Sequence, residues 1–256
     1  MNILKGFLIL TLCAFPQISN ARQNDMNTTR AQRADDTYKT LFQSERAASP
    51  TDPELLEMLQ RNIFGEAFHI GDLSMREREL ITVAALTTLQ TLPQLKAHIN
   101  AALNVGASPL EIRETIYNCA AFIGFPRVLN AVGVFNETAK ERGIALPLQK
   151  AGATTDAEYK DAVPDTLTDF CFGDIYTRGG LSLKERELLS LVVLTATGAQ
   201  KQIPAHVAGA MKAGNDKETL LAAMLQTVYY IGLPNALATI EQIKKADGTR
   251  FSPVYE

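Results

Sequence analysis

Apolar residues fall at helical spacing along most of this chain, and nowhere do they alternate in the manner of a strand. After Asp52-Pro53-Glu54, a cap followed by proline and an acid, Leu55, Leu56, Met58, Leu59 and Ile63 predict a first helix ending near Gly65 to Gly71. Leu80, Ile81, Val83, Ala84, Ala85, Leu86 and Leu89 then leave almost no polar face, which predicts a buried central helix over about 74–90. A break around Thr91 to Pro93 separates it from a second helix that runs to Val105 and closes at Gly106. Ser108-Pro109-Leu110-Glu111 opens a third helix; Gly124 ends it, and Pro126 starts another that reaches about Arg142.

The same pattern then occurs again. Leu73 to Leu80 (LSMRERE-L) recurs as Leu181 to Leu188 (LSLKERE-L), and His98 recurs as His206, both at an offset of 108 residues. That offset also carries Phe64-Gly65 onto Phe172-Gly173, Gly106 onto Gly214, and Ile123-Gly124 onto Ile231-Gly232. A constant offset over such a length means two copies of one structural unit. Ser74 with Glu77, and Ser182 with Glu185, form capping boxes that start the central helix of each copy. The expected architecture is all-α: a first repeat over 51–142, a connection over 143–160 and a second repeat over 161–247, with a tail over 248–256. Each repeat is small for a core of its own, so the two are expected to pack together as an internal pseudo-dimer.

The N-terminus changes the picture of location. Lys5, an apolar run from Gly6 to Phe15 and the small residues Ser19 and Ala21 make 1–21 a signal peptide, with cleavage expected after Ala21. The run is too short to span a bilayer, so the expectation is export to the periplasm or exterior without stable membrane insertion. Residues 22–50 are polar and lack a sustained apolar period, which predicts a linker or loose arm. A net charge of −3 with no basic run excludes nucleic acid as a natural partner and points to a small molecule. Once the signal segment is removed, Cys119 and Cys171 are the remaining cysteines. They are not equivalent between repeats, and are either buried thiols or a disulfide. No cysteine and histidine cluster has metal-site spacing, so no metal is expected.

Glu79 stands out, because Met75, Val83 and Leu86 share its helical face, and Leu183, Leu191 and Leu194 surround Glu187 in the same way. A carboxylate in an apolar stripe is either a proton-transfer group or half of a buried ion pair. His98 shares its face with Leu95, Ala101, Ala102 and Val105, and His206 with Ile203, Gly209, Ala210 and Ala213. One such histidine is an ordinary core residue, but a recurring pair beside a recurring glutamate is a candidate acid–base site. A straight antiparallel hairpin turning near Thr91 would leave Glu79 and His98 roughly 10 Å apart along the helix axes. Pro204 lies two residues before His206, where Lys96 stands in the first repeat, so the second helix of repeat two is expected to start later and its pocket to differ.

The pattern L-s-x-R-E-R-E-L, a histidine nineteen residues after the last glutamate, then G-x-s-x-x-E-I and Y-x-G-x-P, resembles the carboxymuconolactone decarboxylase family, which includes the alkylhydroperoxidase D type proteins. The resemblance covers both repeats and implies two tandem alkylhydroperoxidase D-like units, assembling as a homo-oligomer, a trimer of two-repeat chains. It implies a cofactor-free site for decarboxylase or lactone-handling chemistry on a small carboxylated substrate, with Glu79, His98, Glu187 and His206 as proton-transfer groups. Arg78 and Arg186 are then placed either to hold the substrate carboxylate or in ion pairs. The peroxidase branch requires cysteines seven and four residues before the histidine; this chain has Thr91 and Gln94, and Ala199 and Gln202. A thiol peroxidase is therefore disfavoured, and a non-catalytic binding or assembly module is the remaining alternative.

Overall fold

The computed structural model describes residues 20–151 and 169–246, with side chains from residue 29 onward. The expected signal segment through residue 19, the connection beyond residue 151 and the tail after residue 246 lie outside the described residues. Among the described residues there are eleven α-helices and no extended strand.

The first repeat comprises α2 (Pro53–Ile63), a 3-10 turn (Ala67–His69), α3 (Met75–Leu89), α4 (Leu92–Asn104), α5 (Pro109–Asn118), α6 (Ala120–Ile123) and α7 (Phe125–Glu141). In the second, a π-helical turn (Asp169–Ile175) leads to α8 (Leu183–Thr197), α9 (Ile203–Lys212), α10 (Lys217–Ile231) and α11 (Leu233–Lys245). Helices α3 and α8 begin as the sequence predicts. The hydroxyls of Ser74 and Ser182 accept from the amides of Glu77 and Glu185, whose carboxylates accept from the serine amides in return. Both helices end on a left-handed residue that reverses the chain at once, Gln90 with φ 59° and Gly198 with φ 69°. At Gln90 the side-chain amide secures the reversal by donating to the carbonyls of Thr87 and Arg127.

Helices α3 and α8 pack against each other at the centre, with α10 laid on α3 and α5 on α8. One continuous apolar core runs through both repeats, from Leu80, Val83 and Ile112 to Leu191, Val193 and Leu220. The pseudo-dimer is thus a single hydrophobic unit, because neither central helix has a polar face to leave in water. Polar contacts fix its register. Gln226 of α10 donates to the carbonyl of Arg78 at 2.8 Å and to the hydroxyl of Thr82 at 3.0 Å. Asn118 of α5, 108 residues earlier, reaches the carbonyl of Arg186 at 3.4 Å and the hydroxyl of Ser190 at 3.1 Å. Arg76 bridges Glu111 of its own repeat and Glu185 of the other.

Residues 22–50 are not the expected linker: α1 (Asn20–Phe42) occupies most of them and docks on α4 and α2. Ala34, Thr37 and Leu41 are buried one turn apart, and Tyr38 and Phe42 stack edge-on against Phe64. Arg33 donates to the carbonyl of Gly65 at 2.7 Å, Asn104 donates to that of Leu41 at 2.8 Å, and Thr37 meets His69 at 3.0 Å. About one buried residue per turn is too narrow a stripe for periodicity to detect, and docking supplies the rest. His69, although exposed, anchors α1 through this contact with Thr37.

Candidate active site

Glu79 lies in the second turn of α3 with no exposed surface, and its neighbours on the helix from Arg78 to Thr88 are buried too. Its partner comes from α4: His98 Nδ1 is 2.7 Å from Glu79 Oε2. The two meet directly, in place of the predicted separation, because α3 stops at Leu89 and Gln90 turns the chain within two residues. That brings the axial offset to about 6 Å at 1.5 Å rise per residue, within reach of the two side chains. The other oxygen, Glu79 Oε1, is buried without a hydrogen-bond partner.

Two aromatic rings face the imidazole edge-on. Phe42, at the end of α1, is 5.6 Å from His98 at 78°, and Tyr230, on α10 of the other repeat, is 6.0 Å away at 84°. The first site is therefore assembled from three parts of the chain: the first repeat, the second repeat and the N-terminal helix. Burial, and then the charge of Glu79, push the Tyr230 phenol well above its ordinary pKa, so it stays protonated at neutral pH.

The second site repeats this plan more loosely. His206 Nδ1 lies 3.4 Å from Glu187 Oε2, and both atoms lack a hydrogen-bond partner. As the position of Pro204 predicts, α9 begins at Ile203, three residues later than the counterpart of Leu92, so His206 sits in its first turn. The imidazole is 25% exposed, against 10% for His98. Phe122 of the first repeat faces it at 5.6 Å, in the position Tyr230 takes at the first site. Gly209 makes room for the carboxylate: a Cβ there would stand 3.0 Å from Glu187 Oε2.

Arg78 and Arg186 do not point into these sites. Arg78, 1% exposed, donates to the backbone carbonyls of Ala67, Ile70, Gly71 and Leu73. Burial lowers its pKa to about 10, and the nearby charge of Glu77 opposes this. Arg186 donates to the carbonyls of Arg178 and Gly179 and lies 3.3 Å from Glu114 of the first repeat. Neither is available to clamp a substrate carboxylate, since each guanidinium closes the loop before its own helix. Cys119 and Cys171 are free thiols; burial raises both to about 12, with the charge of Glu187 adding to the shift at Cys171. No group of three or more metal-ligating side chains occurs among the described residues.

The family model for the carboxymuconolactone decarboxylase family matches residues 53–137 and, a second time, residues 161–245. This chain belongs to that family. It carries two family units in tandem, and α1 lies outside both of them. A 4-carboxymuconolactone decarboxylase of Acinetobacter baylyi is 31% identical over 87 residues, 34% of this chain and 65% of the relative. An uncharacterized 15.0 kDa protein of Paracoccus denitrificans is 36% identical over 88 residues, 33% of this chain and 63% of the relative. The nitrosuccinic acid decarboxylase of Metarhizium robertsii is 26% identical over 96 residues, 38% of this chain and 67% of the relative. The chain thus spans just under two thirds of the first two relatives.

Within this tandem family member, sequence reasoning missed Phe42 and Tyr230. Phe42 lies in a stretch without sustained periodicity. Tyr230 had a signal: it is the tyrosine of the Y-x-G-x-P motif, which reads Phe122 at the matching position of the first repeat, but no role follows from that position alone. Nothing in the linear chain indicates that each of these rings faces the histidine of the opposite repeat.

Proposed function

We propose that this chain is a cofactor-free enzyme for acid–base chemistry, a decarboxylase or lactone-handling enzyme acting on a small carboxylated substrate. The observation that carries the reading is the 2.7 Å contact of Glu79 with His98 in a nearly water-free setting, with one carboxylate oxygen unpartnered. Two relatives named as decarboxylases support the reaction class. With Nδ1 engaged by Glu79, Nε2 is the ring nitrogen left to exchange a proton with a substrate. In a decarboxylation the bond from carbon to carboxylate breaks and CO2 leaves. The electron pair passes into a conjugated carbonyl, or into the nitro group of nitrosuccinic acid, and the Glu79–His98 pair delivers a proton to the carbon. Glu187 and His206 form the corresponding pair of the second site.

The test is CO2 release from 4-carboxymuconolactone and from nitrosuccinic acid by the wild type, Glu79→Gln and His98→Ala. The expected result is a fall in kcat of about 10²–10⁴-fold in each variant with folding retained. Unchanged turnover accompanied by lost stability would assign the pair to structure and sink the proposal.

Export and assembly belong to the same reading. The N-terminal pattern of Lys5 and Gly6 to Phe15 supports export. Assembly into a homo-oligomer, with the trimer as the form the resemblance implies, is supported by exposed Phe125 and Leu129 on α7, repeated at the 108-residue offset as exposed Leu233 and Leu237 on α11. Sedimentation of the full chain as a monomer at micromolar concentration would remove the second expectation.

A further inference from the structure

The geometry points to Tyr230, supplied across the repeat interface, as the hydrogen-bond donor that receives the substrate oxygen on which negative charge develops at the first site. This rests on the acid–base reading above and assigns that reaction its missing electrophilic group.

Thr82 lies one turn beyond Glu79 on α3. The Thr82 hydroxyl has one proton and two lone pairs. It bonds the carbonyl of Arg78 at 3.0 Å and accepts from Gln226 Nε2 at 3.0 Å. The second lone pair is open to the Tyr230 hydroxyl, but the two oxygens stand 3.4 Å apart, long for a bond between hydroxyls. Tyr230 therefore keeps a donor that no group among the described residues uses well. Glu79 Oε1 is an acceptor that no group among the described residues uses at all.

The two under-used groups come from different repeats and both adjoin His98: Glu79 through the 2.7 Å contact and Tyr230 through its ring. A ligand that satisfies both carries an acceptor oxygen for the phenol and a centre that exchanges a proton with the Glu79–His98 pair. A carbonyl or nitro group conjugated to the carbon that loses CO2 has that combination. As the carbon–carboxylate bond breaks, its electron pair moves to the oxygen of that group, where a fixed donor stabilises it more strongly than in the uncharged state. The phenol lends a hydrogen bond and keeps its proton; the proton that reaches carbon comes from the Glu79–His98 pair. The Tyr230 ring packs against both the main core and the cluster beneath α1, which holds the hydroxyl in place before substrate arrives.

The second site has no such donor on the side facing its histidine, because Phe122 occupies that position. Its phenol, Tyr176, comes from its own repeat and is engaged with Ser190 at 2.8 Å.

The test compares CO2 release from 4-carboxymuconolactone and nitrosuccinic acid by the wild type, Tyr230→Phe, His98→Ala and Tyr229→Phe, together with thermal melting of each. Phe122 already fills the equivalent position, so Tyr230→Phe is expected to fold as the wild type does. It is expected to lower kcat by about 10²-fold, with KM changed less than about threefold and the melting temperature unmoved. Tyr229→Phe, an exposed neighbour, is expected to match the wild type. If His98→Ala is inactive while Tyr230→Phe keeps wild-type kcat, the role of Tyr230 is overturned and the acid–base reading stands. A kcat loss that tracks a lowered melting temperature, and recovers on cooling, makes Tyr230 structural and also overturns it. An active His98→Ala variant, or a wild type inert towards both acids, removes the acid–base reading and this inference with it.

Discussion

Gln226 Nε2 reaches the backbone carbonyl of Arg78 at 2.8 Å, across the junction between the two repeats. That carbonyl lies one residue before Glu79, and the same amide holds Thr82 one turn later, so a second-repeat side chain sets the backbone of the first site. Gln226→Ala leaves buried acceptors without this donor. It is expected to cost about 1–3 kcal/mol, read as a lower urea midpoint at unchanged slope.

Arg78 holds the four carbonyls of the loop before α3 while fully shielded from water. Arg78→Ala is expected to destabilise the chain by on the order of 3 kcal/mol, and Arg78→Lys to recover little of it, because one ammonium cannot replace a planar fork of donors. Thermal melting of both variants checks this. Unchanged stability with a raised KM would return Arg78 to the substrate-binding role expected from sequence.

Leu41 on α1 has no exposed surface and packs with Phe64 and Ala101. If α1 is an integral wall of the first site, Leu41→Ala costs about 2–5 kcal/mol in chemical denaturation. A loose arm would lose nothing measurable.

Arg76 joins Glu111 and Glu185 across the repeats. Burial alone would raise both carboxyls. At Glu111 the hydrogen bonds from Arg76 and then Ser108 outweigh it, at Glu185 those from Ser182 and then Arg76, and both groups end below the ordinary value of 4.5. A lowered folded-state pKa means that the native state binds fewer protons, so the stabilisation is present above the unfolded value and fades as pH falls through the folded one. Arg76→Ala is therefore expected to move the acid-unfolding midpoint to higher pH while changing stability at pH 7 modestly, given that the groups are partly exposed. Fluorescence or circular dichroism across pH 2–6 reads the shift; an unmoved midpoint contradicts it.

What the sequence alone determined was whatever depends on neighbours along the chain. The capping serines Ser74 and Ser182, the helical period of Leu80 to Leu89 and the exact 108-residue offset act through contacts within a few residues, so the all-α tandem repeat was legible. So was the oddity of Glu79 and His98, since a charged or titratable residue inside an apolar stripe is visible without coordinates. Only the tertiary structure decided what those groups meet. The hairpin at Gln90 brings Glu79 onto His98, while α9 starts later, at Ile203 before Pro204, and His206 stands 3.4 Å from Glu187 without a hydrogen bond to it. The guanidinium of Arg78 turns to backbone carbonyls, a destination its position in the motif does not encode. The rings that wall the first site, Phe42 and Tyr230, are separated from His98 by 56 and 132 residues of chain. Phe42 arrives through the docking of α1 on α4 and Tyr230 through the packing of α10 on α3, global burial requirements that no local pattern records.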